Sequence, residues 1–286
     1  MNVIKLDLLL KQFFNEDIGD GDLSSEFLFS PNDLGSFTFF AKDDGIFCGE
    51  QIIMRGFHLL DPSIRIISCK RDGDTIRYGD TIAVINGPLR VLLTGERVIL
   101  NLVQRMCAIA TMAKRAMNET AGTATRVCDT RKTMPGLRML DKYAVRVGGA
   151  FNHRSGLYDA IMLKDNHIAF AGGITRAVSL ARARVGHTVK IEVEIETKAQ
   201  LEEAIAAQAD IIMFDNCSPE TIKEWLPLVP EHIATEASGG ITIDTIAAYA
   251  ASGVAWISLG ALTHSVEAFD ISALVESKGA IQVGNS

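Results

Sequence analysis

The 286-residue sequence has little cysteine and little proline, five and seven residues respectively. Its cysteines are scattered, odd in number and form no C-x-x-C pair: Cys48, Cys69, Cys107, Cys128 and Cys217. This pattern argues against a disulfide framework and against a structural zinc site. Scattered free thiols are typical of proteins in a reducing compartment, so a cytoplasmic location is expected.

The sequence also lacks long apolar runs and an excess of positive charge. Arg97 and Arg105 interrupt the best apolar candidate, so no run of about 18 uncharged apolar residues is available to span a membrane. The first residues turn acidic too soon for a secretory signal. The 28 Lys and Arg residues against 35 Asp and Glu give a net charge of −7. No nucleic-acid partner is expected, and any anion site must be a local concentration of cations.

What the chain does have is enough apolar sequence, 48% of its residues, to bury a large core. Short β-rich runs at 36–41, 64–70 and 81–85 surround a helical run at 50–60, which predicts an α+β sandwich. A long helical run follows at 94–118. Near-continuous apolar runs then alternate with amphipathic helices, which predicts a parallel sheet covered by helices. These later runs lie at 125–128, 160–163, 189–195, 211–214, 233–235 and 255–259.

The ends of the later strands favour a barrel. They carry polar groups or glycine, namely Asp129, Lys164, Glu194, Asp215, Glu236 or Ser238, and Gly260. In an α/β barrel the carboxyl ends of the strands converge on one mouth, where the active site lies. An open sheet would spread the same ends along a crevice.

Residues 126–154 form a basic cluster, with seven Lys and Arg residues against two Asp. Arg138, Lys142 and Arg146 recur every four residues, and we expect them to be a solvated helix face. Arg131, Lys132, His153 and Arg154 follow strand-like runs instead and are expected at the barrel mouth. Arginine grips carboxylate or phosphate in two places, so this group predicts a ligand with several negative charges.

Two further patterns predict phosphate and metal binding. Ser238–Gly240 and Leu259–Ala261 follow the last two strands, where glycines let backbone N–H groups approach a phosphate. Glu194 and Asp215 end neighbouring strands, where they would hold Mg²⁺ or ribose hydroxyls, or remain ordinary solvated acids. Lys164 is a candidate Schiff-base nucleophile or, beside Asp165, an ion-paired anion binder.

Several motifs together resemble the quinolinate phosphoribosyltransferase family. They run in order along nearly the whole chain: residues 16–22 (EDIGDGD), 95–97 (GER), 129–133 (DTRKT), 136–138 (GLR), 142–145 (KYAV), 152–154 (NHR), 164–167 (KDNH), 238–240 (SGG) and 260–265 (GALTHS).

This resemblance implies an N-terminal α/β sandwich domain at 1–112 and an incomplete, seven-stranded α/β barrel at 113–266, with the tail 267–286 packing on the first domain. It implies transfer of phosphoribosyl from phosphoribosyl pyrophosphate to quinolinate with Mg²⁺, which gives nicotinate mononucleotide, pyrophosphate and CO₂. That reaction is the de novo entry to NAD. The resemblance also implies a homodimer or a larger assembly of dimers.

The resemblance also implies roles for individual residues. The carboxylates of quinolinate would be held by Arg131, Lys132, His153 and Arg154, with Arg97 supplied by the neighbouring subunit. Thr130 would also belong to the substrate-binding set. Lys164, Glu194 and Asp215 would contact the phosphoribosyl donor and its metal. The 5′-phosphate would lie against Ser238, Gly239, Gly240, Leu259, Gly260 and Ala261. The catalytic set would be Lys132, Lys164, Glu194 and Asp215.

Three alternatives stay open at this point. A related transferase of the same fold would use another acid, as in the paralogues encoded with molybdate transporters. An aldolase barrel would form a Schiff base on Lys164, although it would not need so many cations at its mouth. A non-catalytic carrier module at 72–86 would need a Met-Lys-Met attachment site, which that segment lacks.

Overall fold

The computed structural model describes residues 1–277 of the chain, which divides into two compact units. The first unit contains Met1–Thr111 and the described chain from Val266 onward, and the second contains Met112–Ser265. The domain limits suggested by the sequence, 1–112 and 113–266, stay a prediction. Positions 278–286 of the expected tail lie outside the described residues. None of the helices described is both long and apolar enough to cross a membrane.

The first unit is built on an antiparallel sheet with strand order β12-β1-β5-β3. Its helices are α1 (Val3–Ile18), α2 (Leu23–Leu28), α3 (Glu50–Leu60) and α4 (Leu89–Glu119), whose last residues belong to the second unit. Its strands are β1 (Leu34–Ala41), β2 (Gly45–Ile46), β3 (Arg65–Cys69), β4 (Thr75–Ile76), β5 (Thr81–Pro88) and β12 (Ile271–Ser277). Strands β2 and β4 form a separate pair.

Strand β1 supplies much of the core of this unit. Side chains alternate across a strand, so Phe37, Phe39 and Ala41 share one face, and all three are buried. The ring of Phe39 lies 5.3 Å from that of Phe37 and 6.2 Å from that of Phe57 on α3, which ties the helix to the sheet. The predicted strands and the helix predicted at 50–60 are confirmed.

The second unit is a parallel sheet covered by helices. Its strands are β6 (Arg126–Cys128), β7 (Ile161–Leu163), β8 (Ile191–Ile195), β9 (Ile211–Asp215), β10 (Ala234–Ser238) and β11 (Trp256–Ser258). Its helices are α5 (Arg138–Val147), α6 (Asp165–Ala171), α7 (Ile174–Arg182), α8 (Lys198–Ala206), α9 (Pro219–Trp225), α10 (Ile246–Ala251) and α11 (Ala261–His264). The strand order is β6-β11-β10-β9-β8-β7. All six strands predicted for this part of the sequence are confirmed.

The barrel is incomplete at one edge. The seventh element is a single parallel bridge, in which Phe151 pairs with Cys128 beside β6. Among residues 1–277, no strand ladder joins this segment to β7 at the other edge. The chain around Phe151 therefore has far fewer main-chain hydrogen bonds to hold it than the six strands have.

The strand register gives the sheet two different faces. On the outer face the side chains are apolar and fully buried, namely Val127, Val193, Ile212, Phe214 and Ile257. The register places polar side chains on the inner face, namely Lys164, Glu192, Glu194, Asp215, Glu236 and Ser238. The prediction of near-continuous apolar strands is therefore wrong for β8, whose sequence I-E-V-E-I alternates between the two faces.

Candidate active site

The inner face curls into a barrel, as the contacts of one imidazole show. His153 Nε2 lies 3.2 Å from Glu192 on β8 and 3.4 Å from Glu236 on β10, although β9 runs between those two strands. Carboxyl ends of parallel strands therefore converge on one mouth. Most of the residues suggested by the sequence lie at this mouth or beside it: Thr130, Arg131, Lys132, His153, Arg154, Lys164, Glu194, Asp215, Ser238, Gly239, Gly240, Leu259, Gly260 and Ala261.

Lys164 and Glu194 form an ion pair at the ends of β7 and β8. The lysine is exposed and the glutamate is half-buried, so water reaches both groups. Asp215 ends the next strand and accepts a hydrogen bond from the Asn216 side chain at 3.0 Å. Lys164 thus pairs with Glu194 across the strands rather than with its sequence neighbour Asp165.

Arg131 and Arg154 lie close enough at the mouth for their like charges to interact. Burial lowers the pKa of Arg154, and the nearby charge of Arg131 lowers it further, whereas Glu192 and Glu194 act in the opposite direction. The Arg154 guanidinium donates to the Ala160 carbonyl at 3.2 Å. The Nε atom of Arg131 is buried and has no hydrogen-bond partner among the described residues. A buried donor of this kind is costly unless a ligand or water completes it.

Lys132 lies next to the glycine that follows β11. Its Cδ would be 3.3 Å from a Cβ atom added at Gly260. Its carbonyl accepts a hydrogen bond from the Thr263 hydroxyl at 2.8 Å, and its N–H donates to the Thr130 side chain at 3.0 Å. These contacts place the lysine beside Gly260 and leave Thr130 as part of the turn that carries it.

The segment after β10 requires glycine. A Cβ at Gly239, where φ is +90°, would lie 2.3 Å from the Asn216 side chain. Gly240 also has a positive φ, +62°, and nothing stands within 4 Å of its missing Cβ. The backbone therefore turns tightly here and faces open space, as a phosphate-binding loop does.

His153, Glu192 and Glu236 form a buried cluster behind the mouth. Burial alone would lower the pKa of His153, but hydrogen bonds and charges of Glu192 and Glu236 act in the opposite direction, raise the pKa and favour a proton on the nitrogen that faces them. Burial also raises the pKa of Glu192, which the hydrogen bond from His153 opposes and the charge of Glu236 reinforces. The backbone N–H of Arg154 donates to His153 Nδ1 at 2.7 Å, so the ring proton that faces Glu192 and Glu236 is on Nε2.

This cluster has the residue types of a metal site, because ligand atoms of the three side chains lie within 4.8 Å of one another. Because Nδ1 accepts the Arg154 N–H, an ion could bind the imidazole only at Nε2, and it would have to displace the proton there. Sequence reasoning included His153, named Glu236 only as a polar strand end, and missed Glu192. The available signal was the I-E-V-E-I alternation of β8, which puts two carboxylates on one strand face.

The prediction that Lys142 is a solvated surface charge is wrong. Its ammonium lies 2.5 Å from Asp129 Oδ1, and both side chains are buried. Lys142 also donates to the His153 carbonyl at 3.0 Å, while Asp129 accepts from the His153 N–H at 2.8 Å. The helix spacing was read correctly, but the face that carries Lys142 turns toward β6. Arg146, four residues on, is exposed as expected.

Arg97 lies on α4 in the first unit, apart in sequence and fold from the barrel residues. Its side chain is exposed, and its guanidinium makes no hydrogen bond within the described part of the chain. A role for Arg97 at a barrel mouth stays a prediction.

Fold and site together define an α/β-barrel protein whose mouth gathers several cationic side chains beside carboxylates. Two domain models of quinolinate phosphoribosyl transferase match the chain, the N-terminal domain over residues 22–107 and the C-terminal domain over residues 109–273. The chain belongs to the quinolinate phosphoribosyltransferase family.

Individual relatives are similar over nearly their whole length. A probable nicotinate-nucleotide pyrophosphorylase [carboxylating] of Bacillus subtilis is 54% identical, over 95% of this chain and 94% of its own. A protein of the same name from Synechocystis is 43% identical, over 90% of this chain and 88% of its own. The crystal structure of NadC from Streptococcus pyogenes superposes with a TM-score of 0.93 at 38% identity, covering 98% of this chain and 99% of that one.

Proposed function

We propose that this chain transfers the phosphoribosyl group of phosphoribosyl pyrophosphate to quinolinate, with loss of CO₂. The products are nicotinate mononucleotide, pyrophosphate and CO₂, which places the enzyme at the de novo entry to NAD. The observation that carries the proposal is the pair Arg131 and Arg154 at the mouth of a barrel in an acidic protein. The family membership and the relatives' names support the same reaction.

The arginine pair suits a ligand with two carboxylates. The charge of Arg131 lowers the pKa of Arg154, and a dianion lying between the two guanidinium groups would stabilise both charges. Quinolinate carries two adjacent carboxylates on a rigid pyridine ring, so each arginine would take a planar, two-point grip. The unpartnered Nε of Arg131 would then gain an acceptor. Such clamps mainly orient the pyridine nitrogen toward the sugar, which removes several kcal/mol from a barrier.

Lys164, Glu194 and Asp215 would face the donor. Carboxylate oxygens are the ligands that Mg²⁺ prefers, and both acids are half-buried at the ends of neighbouring strands, so waters and donor oxygens have room to complete an octahedron. We therefore assign Mg²⁺ to Glu194 and Asp215. When bound, the ion would neutralise charge on the leaving pyrophosphate.

The 5′-phosphate would lie between the glycine segments that follow β10 and β11. The tight, open turn at Gly239 and Gly240 lets backbone N–H groups approach it, and Gly260 does the same from the next strand. Lys132, whose side chain runs past Gly260, would add a point charge there. Leu259 is fully buried, so only its backbone would take part.

The chemistry needs stabilisation of positive character on the sugar and then electron withdrawal from the ring. Departure of pyrophosphate leaves an oxocarbenium-like sugar, whose charge the carboxylates of Glu194 and Asp215 would offset. After ribosyl transfer the ring nitrogen is positively charged. Loss of CO₂ leaves the electron pair of the broken bond on ring carbon 2, where the adjacent cationic nitrogen stabilises it, and a proton from solvent then replaces the carboxylate. No separate decarboxylation cofactor is needed.

We also propose that the enzyme is a cytoplasmic homodimer, or a larger assembly of dimers, in which Arg97 reaches the neighbour's barrel. The five free cysteines support a reducing compartment. Arg97→Ala should abolish turnover although Arg97 lies on α4. Mixing that variant with Lys164→Ala should restore about a quarter of wild-type activity by random pairing of subunits, measured after subunit exchange. Exchanged mixtures that stay inactive would exclude a shared site.

The direct test is incubation with quinolinate labelled in the carboxylate at ring position 2, phosphoribosyl pyrophosphate and Mg²⁺. Equal amounts of labelled CO₂ and nicotinate mononucleotide are expected. Nicotinate in place of quinolinate should give neither product in comparable amounts, and preferred use of nicotinate would point to a same-fold transferase for another acid. Substrate trapped on Lys164 by borohydride would instead support an aldolase.

A further inference from the structure

The segment that carries His153 and Arg154 lies at the open edge of the barrel. One bridge, at Phe151, is the only strand pairing it makes among the described residues. Main-chain hydrogen bonds fix the ends of the other strands, but this edge has almost none. Side chains must therefore hold the segment if Arg154 is to keep one position.

One set of side chains holds the segment from the outer side. Asp129 and Lys142 bond the backbone N–H and carbonyl of His153, at 2.8 and 3.0 Å. The Asn152 amide donates to Asp129 at 2.7 Å and to the Lys142 carbonyl at 2.9 Å. This outer clamp fixes the backbone of residues 152 and 153. Its hydrogen bonds to residue 153 are to the backbone rather than to the imidazole.

A second set holds the segment from inside the barrel. Glu192 and Glu236 flank His153 Nε2 at 3.2 and 3.4 Å, and the other ring nitrogen accepts the Arg154 N–H. The imidazole thus connects the two carboxylates to the arginine backbone. Glu192 also pairs in register with Met162, whose sulfur lies 3.6 Å from the Arg154 guanidinium.

Packing alone does not explain two carboxylates at this place. Glu192 is 1% exposed and Glu236 is 4% exposed. The Oε1 atom of Glu192 has no hydrogen-bond partner within the described chain, and Oε1 of Glu236 has only the His153 imidazole, at 3.4 Å. Buried carboxylates without full partners destabilise a fold, and apolar residues of the same size would serve a core better. Such costs persist where the groups serve a functional site.

We propose that Glu192 and Glu236 are positioning residues, which hold the His153 imidazole and through it fix Arg154 for the substrate dicarboxylate. This inference rests on the proposed function, because the ligand of Arg154 is taken to be quinolinate. The two carboxylates do not touch the substrate. They substitute, together with the outer clamp, for the strand ladder that the open edge lacks.

The test compares Glu236→Ala, Glu236→Gln and Met213→Ala by steady-state kinetics. Glu236→Ala should raise the KM for quinolinate about tenfold or more, because a misplaced arginine loses roughly one charge-assisted hydrogen bond. Its kcat and its KM for phosphoribosyl pyrophosphate should stay within about threefold, as expected for a ground-state positioning role. Glu236→Gln keeps an acceptor oxygen and should recover most of the loss.

Met213→Ala is the matched control. Met213 is buried and pairs with Glu236 in the strand register, so this change removes similar volume from the same interior but leaves His153, Glu192 and Glu236 with all their hydrogen-bonding groups. Its KM for quinolinate should stay within about twofold of wild type even where thermal unfolding shows an equal loss of stability. Equal increases in KM for both alanine variants would overturn the proposal.

A second measurement does not depend on turnover. In ¹⁵N-histidine NMR spectra, assigned with His153→Gln, His153 should show a protonated Nε2 and an accepting Nδ1 in the wild type, and this pattern should be lost in Glu236→Ala. An unchanged His153 signal in the folded variant would overturn the positioning role of the two glutamates. If the wild-type protein shows the expected signal but does not turn over quinolinate, the proposed function is overturned, whereas the contacts of Glu192 and Glu236 with His153 are confirmed.

Discussion

The inner and outer faces of the barrel sheet are built from the same strands but from opposite chemistry. The outer face is apolar and fully buried against the helices, as Ile212 and Phe214 on β9 show. The inner face of the same strand ends in Asp215, and that of β8 carries Glu192 and Glu194. Residues on the outer face therefore contribute mainly to stability and residues on the inner face mainly to chemistry. The alternation of side chains along each strand separates the two sets.

Arg131→Ala is expected to show the largest difference between an effect on activity and an effect on stability. This change should lower kcat/KM for quinolinate by about a thousandfold, because a charged clamp on a dianion is lost, while the unfolding midpoint stays within about 2 °C. Radiometric CO₂ release and thermal unfolding measure the two quantities. Arg146→Ala, an exposed cation of the same basic segment, should change neither. A near-normal rate in Arg131→Ala would remove Arg131 from the site.

The opposite result is expected on the outer face. Phe214→Ala should lower the free energy of unfolding by about 3–4 kcal/mol, because it leaves a cavity between β9 and the helices. The activity per folded molecule should remain close to wild type. Urea unfolding measures the first quantity and active-site titration the second. A loss of activity in fully folded protein would show that the two faces are not independent.

Asp215→Asn probes the metal assignment on the inner face. We expect about tenfold weaker binding of Mn²⁺, used as a paramagnetic substitute for Mg²⁺, in the presence of phosphoribosyl pyrophosphate, because one anionic ligand is lost. Electron paramagnetic resonance of free Mn²⁺ measures this without turnover. Glu196→Gln, an exposed acid just beyond β8, is the control. Unchanged Mn²⁺ affinity in the Asp215 variant would contradict the assignment.

The smallest effect is expected at Asp210, which lies before β9, at the end away from the mouth. Burial would raise the pKa of this carboxyl, but hydrogen bonds from the Ile191 N–H and Arg182 lower it below its ordinary 3.8. Its contribution is present above that value and is lost as the pH falls through the lower, folded-state pKa. Asp210→Asn should therefore cost about 1 kcal/mol at pH 7.

Urea unfolding at several pH values checks this expectation. The difference between Asp210→Asn and wild type should shrink as the pH falls below 3.8, the ordinary pKa of the carboxyl. Quinolinate turnover at pH 7 should not change. A stability difference that is independent of pH would mean that packing, rather than charge, accounts for the effect.

Much of the site could be foreseen because local sequence specifies where strands end. Apolar runs closed by Lys164, Glu194 and Asp215 predicted strand ends, and parallel strands bring their ends together. The long basic segment identified Arg131 and Arg154 in the same way. Spacing along the chain was sufficient for these residues, since each lies at or just beyond the end of its own strand or strand-like segment.

The other contacts of the site depended on which face of each helix or strand packs against which neighbouring element. The sequence spacing predicted that Lys142 is a solvated charge on a helix surface, but in the fold it pairs with Asp129. No rule based on spacing along the chain identifies that partner. Glu192 and Glu236 are far apart in sequence and meet only because the sheet curls around β9.

The sequence by itself determined the strands, the helices and the residues that close them, because those depend on neighbours along the chain. Only the tertiary structure decided that His153 is held between two buried carboxylates and that the seventh strand is reduced to a single bridge. Both depend on how the sheet closes, a long-range balance of packing and hydrogen bonding that no local pattern contains.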